Sequence, residues 1–537
     1  MHRRRVLLVG LDGFDVVLAE RFAREGLLPN FARLRAEGAG FDIDDGREKY
    51  TGLGWEQFTS GIRPNDGGRW SSVTFHERTY QATQDSTIIR PLLADLAVKG
   101  VALDVPHFDL SRAPNICGLT TWGPHEPGAP PASRPSGLDR EMIARFGKYP
   151  AADWLYGFCW PSPQKAQAAG EALTQAVEVR SRAARWLLQE RIPDWDLGMI
   201  VVGESHSAIE ALWHGVDQDH PLHALESAPP AAAALRKVYA AIDRLIGDLH
   251  ETFSDATLVL AAMSGMGPNQ SDAPAMVLLP ELLYRFSFGS SYMRQVEFPA
   301  ALPDGTPLLA ASTHWTEVLL QAVPRVKPSL YKRARMNIQR MVAGGSRAAI
   351  HYDLDWMPAA RYSPFWPAMR AFALPAYHDG RVRLNVAGRE KRGIVPAADY
   401  VQACNQISDL VGECRNLLNG NRVASEIYCP RQNPQDVGPS EADVHIVWEG
   451  APLGLLHPRL GRIGPIPFLR TGGHTGKGGF LNVVGSGIPQ GHHGLVHSCD
   501  VLPTIIELLG QPVPPGVSGK SLVPWFARTL QPAIGSR

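Results

Sequence analysis

The strongest constraint on this chain is a set of short, unbroken aliphatic runs separated by helical patterns. Val6–Leu11 (VLLVGL) has no polar residue at any position. A strand buried on both faces of a parallel sheet reads this way, whereas a half-exposed strand alternates. A nearly continuous apolar character returns at Leu197–Val202, Thr257–Ala262, Val444–Trp448 and Phe480–Val484. Between these runs, Pro29–Gly38 and Ser86–Gly100 place apolar residues at helical spacing and stop at glycine. Gln164–Glu190 and Ala231–Phe253 are long and amphipathic, and Asp500–Gly510 opens on an aspartate cap and closes on glycine. Strands alternating with helices over several hundred residues predict an α/β fold, with a doubly wound, mostly parallel sheet flanked by helices. Ligands in such sheets bind beyond the carboxyl ends of the strands. The chemistry is therefore expected in the residues just after each aliphatic run.

At 537 residues the chain is too long for one simple core. The pattern changes over residues 297–441, which hold a basic helical piece at Val326–Val342, a Trp/Pro/Tyr-rich connector at Trp356–Trp366, short strands around Arg381–Asn385 and a helix at Tyr400–Leu417. The expected organisation is a core begun by 1–296 and completed by 442–537, with 297–441 as a smaller inserted cap. Lys plus Arg (53) balance Asp plus Glu (53), so no global field draws the chain to nucleic acid or to an anionic membrane. Neither partner is expected, and a small anionic substrate must be held by local groups. The six cysteines are scattered without C-x-x-C pairing and read as reduced thiols. The apolar stretch after the basic start is broken at Asp12, too early for a secretory signal. No run approaches the ~20 apolar residues of a membrane span, and a cytoplasmic location is the expectation.

Four segments carry candidate chemistry. Asp12, in LVGLDGFD, is a carboxylate at a strand end and suits a metal, although a turn or helix-cap aspartate looks the same. Thr51, in YTGLGWEQFTSG, opens a Gly-punctuated turn running into a helix. A hydroxyl nucleophile is often placed so; a plain threonine cap is the competing reading. In VVGESHSAIEALWHGVDQDHP, His206 and Glu210 stand at i and i+4, on one helix face and close enough to share an ion. A solvated polar helix is the alternative, and it sits poorly right after a buried strand. His474 lies in GGHTGKGG, where glycines let backbone approach a ligand. Lys477 and Arg383 are expected to be solvated or structural. The neighbours His492 and His493 point apart on most backbones, and His497 carries no more weight.

Taken in order, these pieces resemble the type I phosphodiesterase/nucleotide pyrophosphatase family of the alkaline phosphatase superfamily, in a divergent bacterial form. LLVGLDGFD with LPNFARLRAEG resembles its opening. TGLGWEQFTSGIRP matches its T-x-P-x-W…TG…P element, with Leu53 in the proline position and no histidine after Pro64. LAAMSGMGPN resembles its S-D-H-G-M-G-P turn, GRVRLNVAGREKRGIV a stretch common in bacterial members, and GGHTGKGGFLNVVGSGI and DVLPTIIELLG its closing elements.

The resemblance implies two divalent ions about 4 Å apart beside a Thr or Ser nucleophile. Position by position, Asp12 matches an ion ligand, Thr51 the nucleophile and His474 a ligand of the other ion. His206 and Glu210 occupy the ends of a D-x-x-x-H motif with carboxylate and imidazole exchanged. In the S-D-H turn, however, Met263 and Ser264 replace the Asp and His ligands, and neither is a good ligand for zinc or manganese. What is implied is one firm divalent ion, zinc first with manganese or iron as alternatives, on His206, Glu210 and His474 with Asp12 alongside. WGPHEP (Trp122–Pro127) resembles a W-G-x-H element of a bacterial subgroup, which makes His125, with Glu204, a candidate base for Thr51. The implied function is a metal-dependent hydrolase or transferase acting on a phosphate- or sulfate-type ester. Two alternatives stand beside it: an enzyme of specialised metabolism using a mononuclear site for non-hydrolytic chemistry, and a non-catalytic anion-binding relative.

Overall fold

Val6–Leu11 forms strand β1, and all six of its residues are buried. In the computed structural model, which describes residues 4–87, 89–156, 160–325, 351–352, 354, 356–474 and 478–529, β1 lies inside a nine-stranded sheet. The other strands are β2 (Ala39–Ile43), β3 (Gly100–Leu103), β4 (Ile116–Leu119), β5 (Ser133–Arg134), β6 (Leu197–Val202), β7 (Thr257–Ser264), β8 (Gly478–Val484) and β9 (Gly491–Val496). Their order across the sheet is β9-β2-β8-β7-β1-β6-β3-β4-β5. β1 pairs in parallel with β6 and β7, Val6 facing Leu197 and Thr257. Only β8 and β5 run against the rest. The α/β architecture with a mostly parallel sheet is therefore what the aliphatic runs build.

Successive side chains of a strand point to opposite faces, and the two faces of β1 feed two cores. Leu7, Val9 and Leu11 pack with residues of α1 (Val16–Arg24), α2 (Pro29–Glu37), α4 (Pro163–Trp186) and α6 (Ala228–Thr252). Val6 and Leu8 pack instead with Trp55 and Phe58 of α3 (Gly54–Ser60) and with Val501 and Ile505 of α7 (Val501–Leu508). Each such aliphatic side chain contributes roughly 1.5–3 kcal/mol by leaving water. Between β6 and α6 runs α5 (Glu204–Leu212), which starts one residue after the strand ends. That short β6–α5 junction is what carries the site.

Two sequence readings are corrected. Ser86–Gly100 forms no α-helix among its described residues, only a 3-10 turn at Leu92–Asp95 capped by Pro91. The residue before a proline is pushed out of the α region, so a helix cannot run through Pro91. Val444–Trp448 is a strand, but not one of the central sheet. It joins a four-stranded antiparallel sheet with Ala371–Leu374, Gly380–Leu384 and Ala424–Tyr428. An aliphatic run records burial, not which sheet buries it. The basic piece at Val326–Val342 lies outside the described residues.

The chain divides into two compact units. Unit 1 comprises Met1–Trp70, Ile89–Asn269 and Arg470–Arg537 and contains the nine-stranded sheet. Unit 2 comprises Ser71–Ile88 and Gln270–Leu469, wider than the 297–441 segment read from composition. Within it, Arg383 is buried, donating to Glu390 Oε1 at 2.9 Å and to the Gly438 carbonyl at 2.8 Å. Its role is structural.

Candidate active site

Asp12 follows β1, its amide bonded to the Val202 carbonyl at 3.0 Å. Both carboxylate oxygens are engaged. Oδ1 accepts from Trp55 Nε1 at 2.8 Å, and Oδ2 lies 3.1 Å from His206 Nδ1. A carboxylate can only accept, so His206 Nδ1 carries the hydrogen and the neutral ring presents a lone pair at Nε2. Nε2 is buried and has no hydrogen-bond partner; it lies 3.4 Å from Glu210 Oε1. The i, i+4 relation read from the sequence thus places the two side chains together on α5.

His125 arrives from the loop after β4. Its Nδ1 is 3.0 Å from Ser207 Oγ, its Nε2 is 3.7 Å from Glu210 Oε1, and its ring stacks on that of His206 with centroids 3.5 Å apart. Ligand atoms of His125, His206 and Glu210 all lie within 4.8 Å of one another. His474 stands edge-on to His206, centroids 4.5 Å apart, beside this trio. His206 Nε2, with its hydrogen on Nδ1, turns a lone pair toward the Glu210 carboxylate, an arrangement that a cation between them would stabilise. Two imidazoles and a carboxylate form a donor set suited to zinc. The partners on each Nδ1, Asp12 and Ser207, fix which nitrogen faces inward, as partners behind metal-bound histidines do. The residues fit a divalent ion. Asp12, expected as a ligand, meets an N–H donor at each of its oxygens and is the partner of His206 Nδ1.

Gly13 makes room for this arrangement. Its backbone is left-handed (φ +59°), and a β-carbon there would lie 2.6 Å from His206 Cγ and from Met266 Sδ. Glu204, expected as a base, is fully buried and committed elsewhere. It accepts from Arg180 Nε at 3.0 Å. Arg180 also donates to Asp104 Oδ2 at 2.8 Å and to the Gly123 carbonyl at 2.8 Å. Asp104 in turn accepts from the amides of Trp122 and Gly123, each at 2.9 Å. One guanidinium therefore ties the first turn of α5, which bears His206, to the loop that bears His125. Nothing in the sequence marked Arg180 among the other arginines of an amphipathic helix.

Arg470 was also missed. It hydrogen-bonds Glu210 Oε1, and burial pushes its pKa down to about 9 against the pull of Glu126. Burial holds His125 well below the usual imidazole range, aided by His206 and Arg470.

Thr51 ends a 3-10 helix, Gly46–Thr51. Its hydroxyl oxygen accepts from Leu53 N and from Gln57 Nε2, each at 3.2 Å. The link from this turn to the histidines runs through Trp55 to Asp12. Met263, in the position where an ion ligand was to be expected, is 3% exposed and belongs to the apolar cluster with Trp55 and Phe58.

The remaining histidines have other work. His492 meets Asp42 Oδ2 at 3.1 Å, His493 packs on Trp525, and His497 lies 3.2 Å from Glu48 Oε2 and 3.4 Å from Asp45 Oδ1. Lys477 is outside the described residues. His214 and His220 are buried behind α5; His214 Nε2 lies 3.0 Å from Ser227 Oγ. Burial lowers His214 to about 3 and His220 to about 4, from an ordinary 6.5. With both folded values depressed, the unfolded chain binds more protons below pH 6.5. Stability is fully present above that pH and is lost as pH falls toward the folded values. Two rings at about 1.4 kcal/mol per pH unit each remove roughly 4 kcal/mol between pH 6.5 and 5. Urea midpoints measured at pH 7 and pH 5 check this, and His214→Gln should flatten the slope. Equal midpoints would contradict it.

No family model matches the chain, and no curated protein matches it. Solved structures do. Wild-type alkaline phosphatase PafA is 10% identical, covering 97% of this chain and 99% of that one with a TM-score of 0.48. Murine ectonucleotide pyrophosphatase/phosphodiesterase 5, an inactive form in complex with AMP, is 9% identical over 98% and 99%, with a TM-score of 0.47. Phosphonoacetate hydrolase from Sinorhizobium meliloti 1021, in complex with phosphonoformate, is 13% identical over 95% of each chain, with a TM-score of 0.39. In chain trace the molecule is similar to an alkaline phosphatase, a nucleotide phosphodiesterase and a phosphonate hydrolase, and its chemistry is carried by its own side chains.

Proposed function

We propose that this chain is a phosphoester hydrolase of the alkaline phosphatase superfamily, with one divalent ion on His125, His206 and Glu210 and with Thr51 as nucleophile. The observation that carries the reading is the buried, unpartnered His206 Nε2, aimed with His125 Nε2 at a single carboxylate oxygen. Zinc is the ion that this donor set suits best, with manganese or iron as alternatives. A divalent ion held there supplies Lewis-acid stabilisation of phosphoryl oxygens. Asp12 holds the His206 ring in the required tautomer, and Ser207 holds the orientation of the His125 ring. Arg470 adds a fixed cation beside Glu210.

In the reaction, Thr51 Oγ1 loses its proton to solvent and attacks phosphorus in line with the leaving oxygen, and the bond to that oxygen breaks, the leaving group departing as its anion or taking a proton from solvent. Water then hydrolyses the phosphothreonine, releasing phosphate and restoring the hydroxyl. A small anionic phosphate ester is the substrate class.

The test is turnover of 4-nitrophenyl phosphate and bis(4-nitrophenyl) phosphate, alongside elemental analysis. Thr51→Ala is expected to lower kcat on the order of 10³-fold or more, as loss of a nucleophile does. Close to one divalent ion per chain is expected in the purified protein. A variant that turns over like wild type would remove Thr51 from the mechanism. One observation favours a second reading, a metal-free anion-binding protein: Arg470 already meets the charge of Glu210. Metal-free protein without turnover of either ester would establish that reading instead.

A further inference from the structure

We propose that Gln57 is a catalytic residue, supplying to Thr51 Oγ1 the charge stabilisation that Met263 and Ser264 cannot give. The inference rests on Thr51 being the nucleophile. With those two positions unable to ligate, a hydroxyl here needs another source of stabilisation as it loses its proton and bonds to phosphorus. The structure offers one in neutral N–H groups. Thr51 Oγ1 accepts from Gln57 Nε2 and from Leu53 N, each at 3.2 Å. Both acceptor positions of the hydroxyl are filled by donors, so the direction of its own hydrogen, vacated when the proton is lost, is the one from which Oγ1 can bond to phosphorus. As P–O bond formation proceeds, the two donors face the reacting oxygen from fixed positions. Such donors act most strongly where water is excluded. Thr51 is 5% exposed and Gln57 3%.

The direction of the Gln57 amide is itself determined. Ser498 Oγ donates to Gln57 Oε1 at 3.2 Å, which turns Nε2 toward Thr51. Ser498 is held by its own amide on Asp45 Oδ1 at 2.9 Å, and Asp45 is the residue that precedes the 3-10 helix whose last residue is Thr51. Asp45 and Glu48, on either side of the first turn of that helix, enclose His497, the residue before Ser498. One polar frame therefore holds both the turn that presents the hydroxyl and the serine that aims the amide. Ser498 acts through Gln57 and is a positioning residue. Gln57 touches the reacting atom.

Oγ1–P forms, P–O to the leaving group breaks, the hydroxyl proton goes to solvent, and the leaving oxygen departs as the anion or is protonated by solvent. Gln57 keeps its protons throughout.

Steady-state kinetics on 4-nitrophenyl phosphate and bis(4-nitrophenyl) phosphate test the proposal. Gln57→Leu is expected to lower kcat by roughly 10²–10³-fold with KM little changed, the loss typical of one oxyanion donor. Gln57→Met keeps most of the volume, lacks the donor and buries no charge, so it should fall as far while still unfolding cooperatively. Ser498→Ala should lose about tenfold, a fraction of the direct donor's effect, and Ser498→Thr should recover most of it. Wild-type kcat in both Gln57 variants, with Thr51→Ala inactive, overturns the role of Gln57 and leaves the nucleophile standing. Full turnover by Thr51→Ala, or none by wild type, overturns the reading beneath it and this inference together.

Discussion

Replacement of Arg180 by methionine is expected to destabilise unit 1 by about 3–5 kcal/mol, the range for removing one partner of a buried ion cluster. Arg180, Glu204 and Asp104 all have side chains with no solvent exposure. The variant leaves two carboxylates buried with no cation, and their desolvation goes uncompensated. For a unit of this size, such a loss lowers the melting temperature by roughly 4–8 °C. Thermal unfolding followed by circular dichroism measures it. A second variant separates loss of charge balance from loss of packing. Arg180→Met combined with Glu204→Gln removes one of the stranded charges and should recover part of the stability. An unchanged melting temperature in Arg180→Met would mean that the cluster is not the tie between α5 and the His125 loop that its hydrogen bonds describe.

The second large effect is on metal binding, and its expected order is informative. His206→Ala should abolish stoichiometric zinc binding. Asp12→Asn should weaken binding about 10–100-fold, the usual loss when the partner behind a metal-bound histidine is altered. His474→Ala should do less than either, because its ring lies beside the trio whose ligand atoms converge within 4.8 Å. Titration of metal-free protein with zinc against a chromophoric chelator ranks the three. If Asp12→Asn matched His206→Ala, Asp12 would be a ligand after all. If His474→Ala matched it, the second imidazole nitrogen would come from His474 and not from His125.

Some of this was legible in the residues and some could not be. Val6–Leu11 and Leu197–Val202 were readable to the residue, because burial on both faces leaves no polar position to blur the ends. His206 and Glu210 were readable as a pair because helical periodicity alone brings i and i+4 together. Val444–Trp448 was misassigned because the same burial arises in a second sheet of unit 2. Ser86–Gly100 was misread because its apolar spacing outweighed Pro91. His125 could be suspected from WGPHEP, but its place in the trio depends on loop geometry that no spacing encodes. Arg180 and Arg470 were silent. A buried arginine is spelled like an exposed one, and only the carboxylates that tertiary structure brings to it reveal the difference.

Gly13 has a consequence for which cations can be accepted. With no β-carbon at that position, the backbone presses within van der Waals range of the His206 ring, and the His125 ring stacks on it with centroids 3.5 Å apart. The imidazole has no room to swing outward. A stiff socket of this kind sorts ions by radius, since a wider ion needs ligands that can retreat and more oxygens than are offered. Calcium should therefore be excluded even at millimolar excess, while smaller transition ions enter a cradle already set before they arrive.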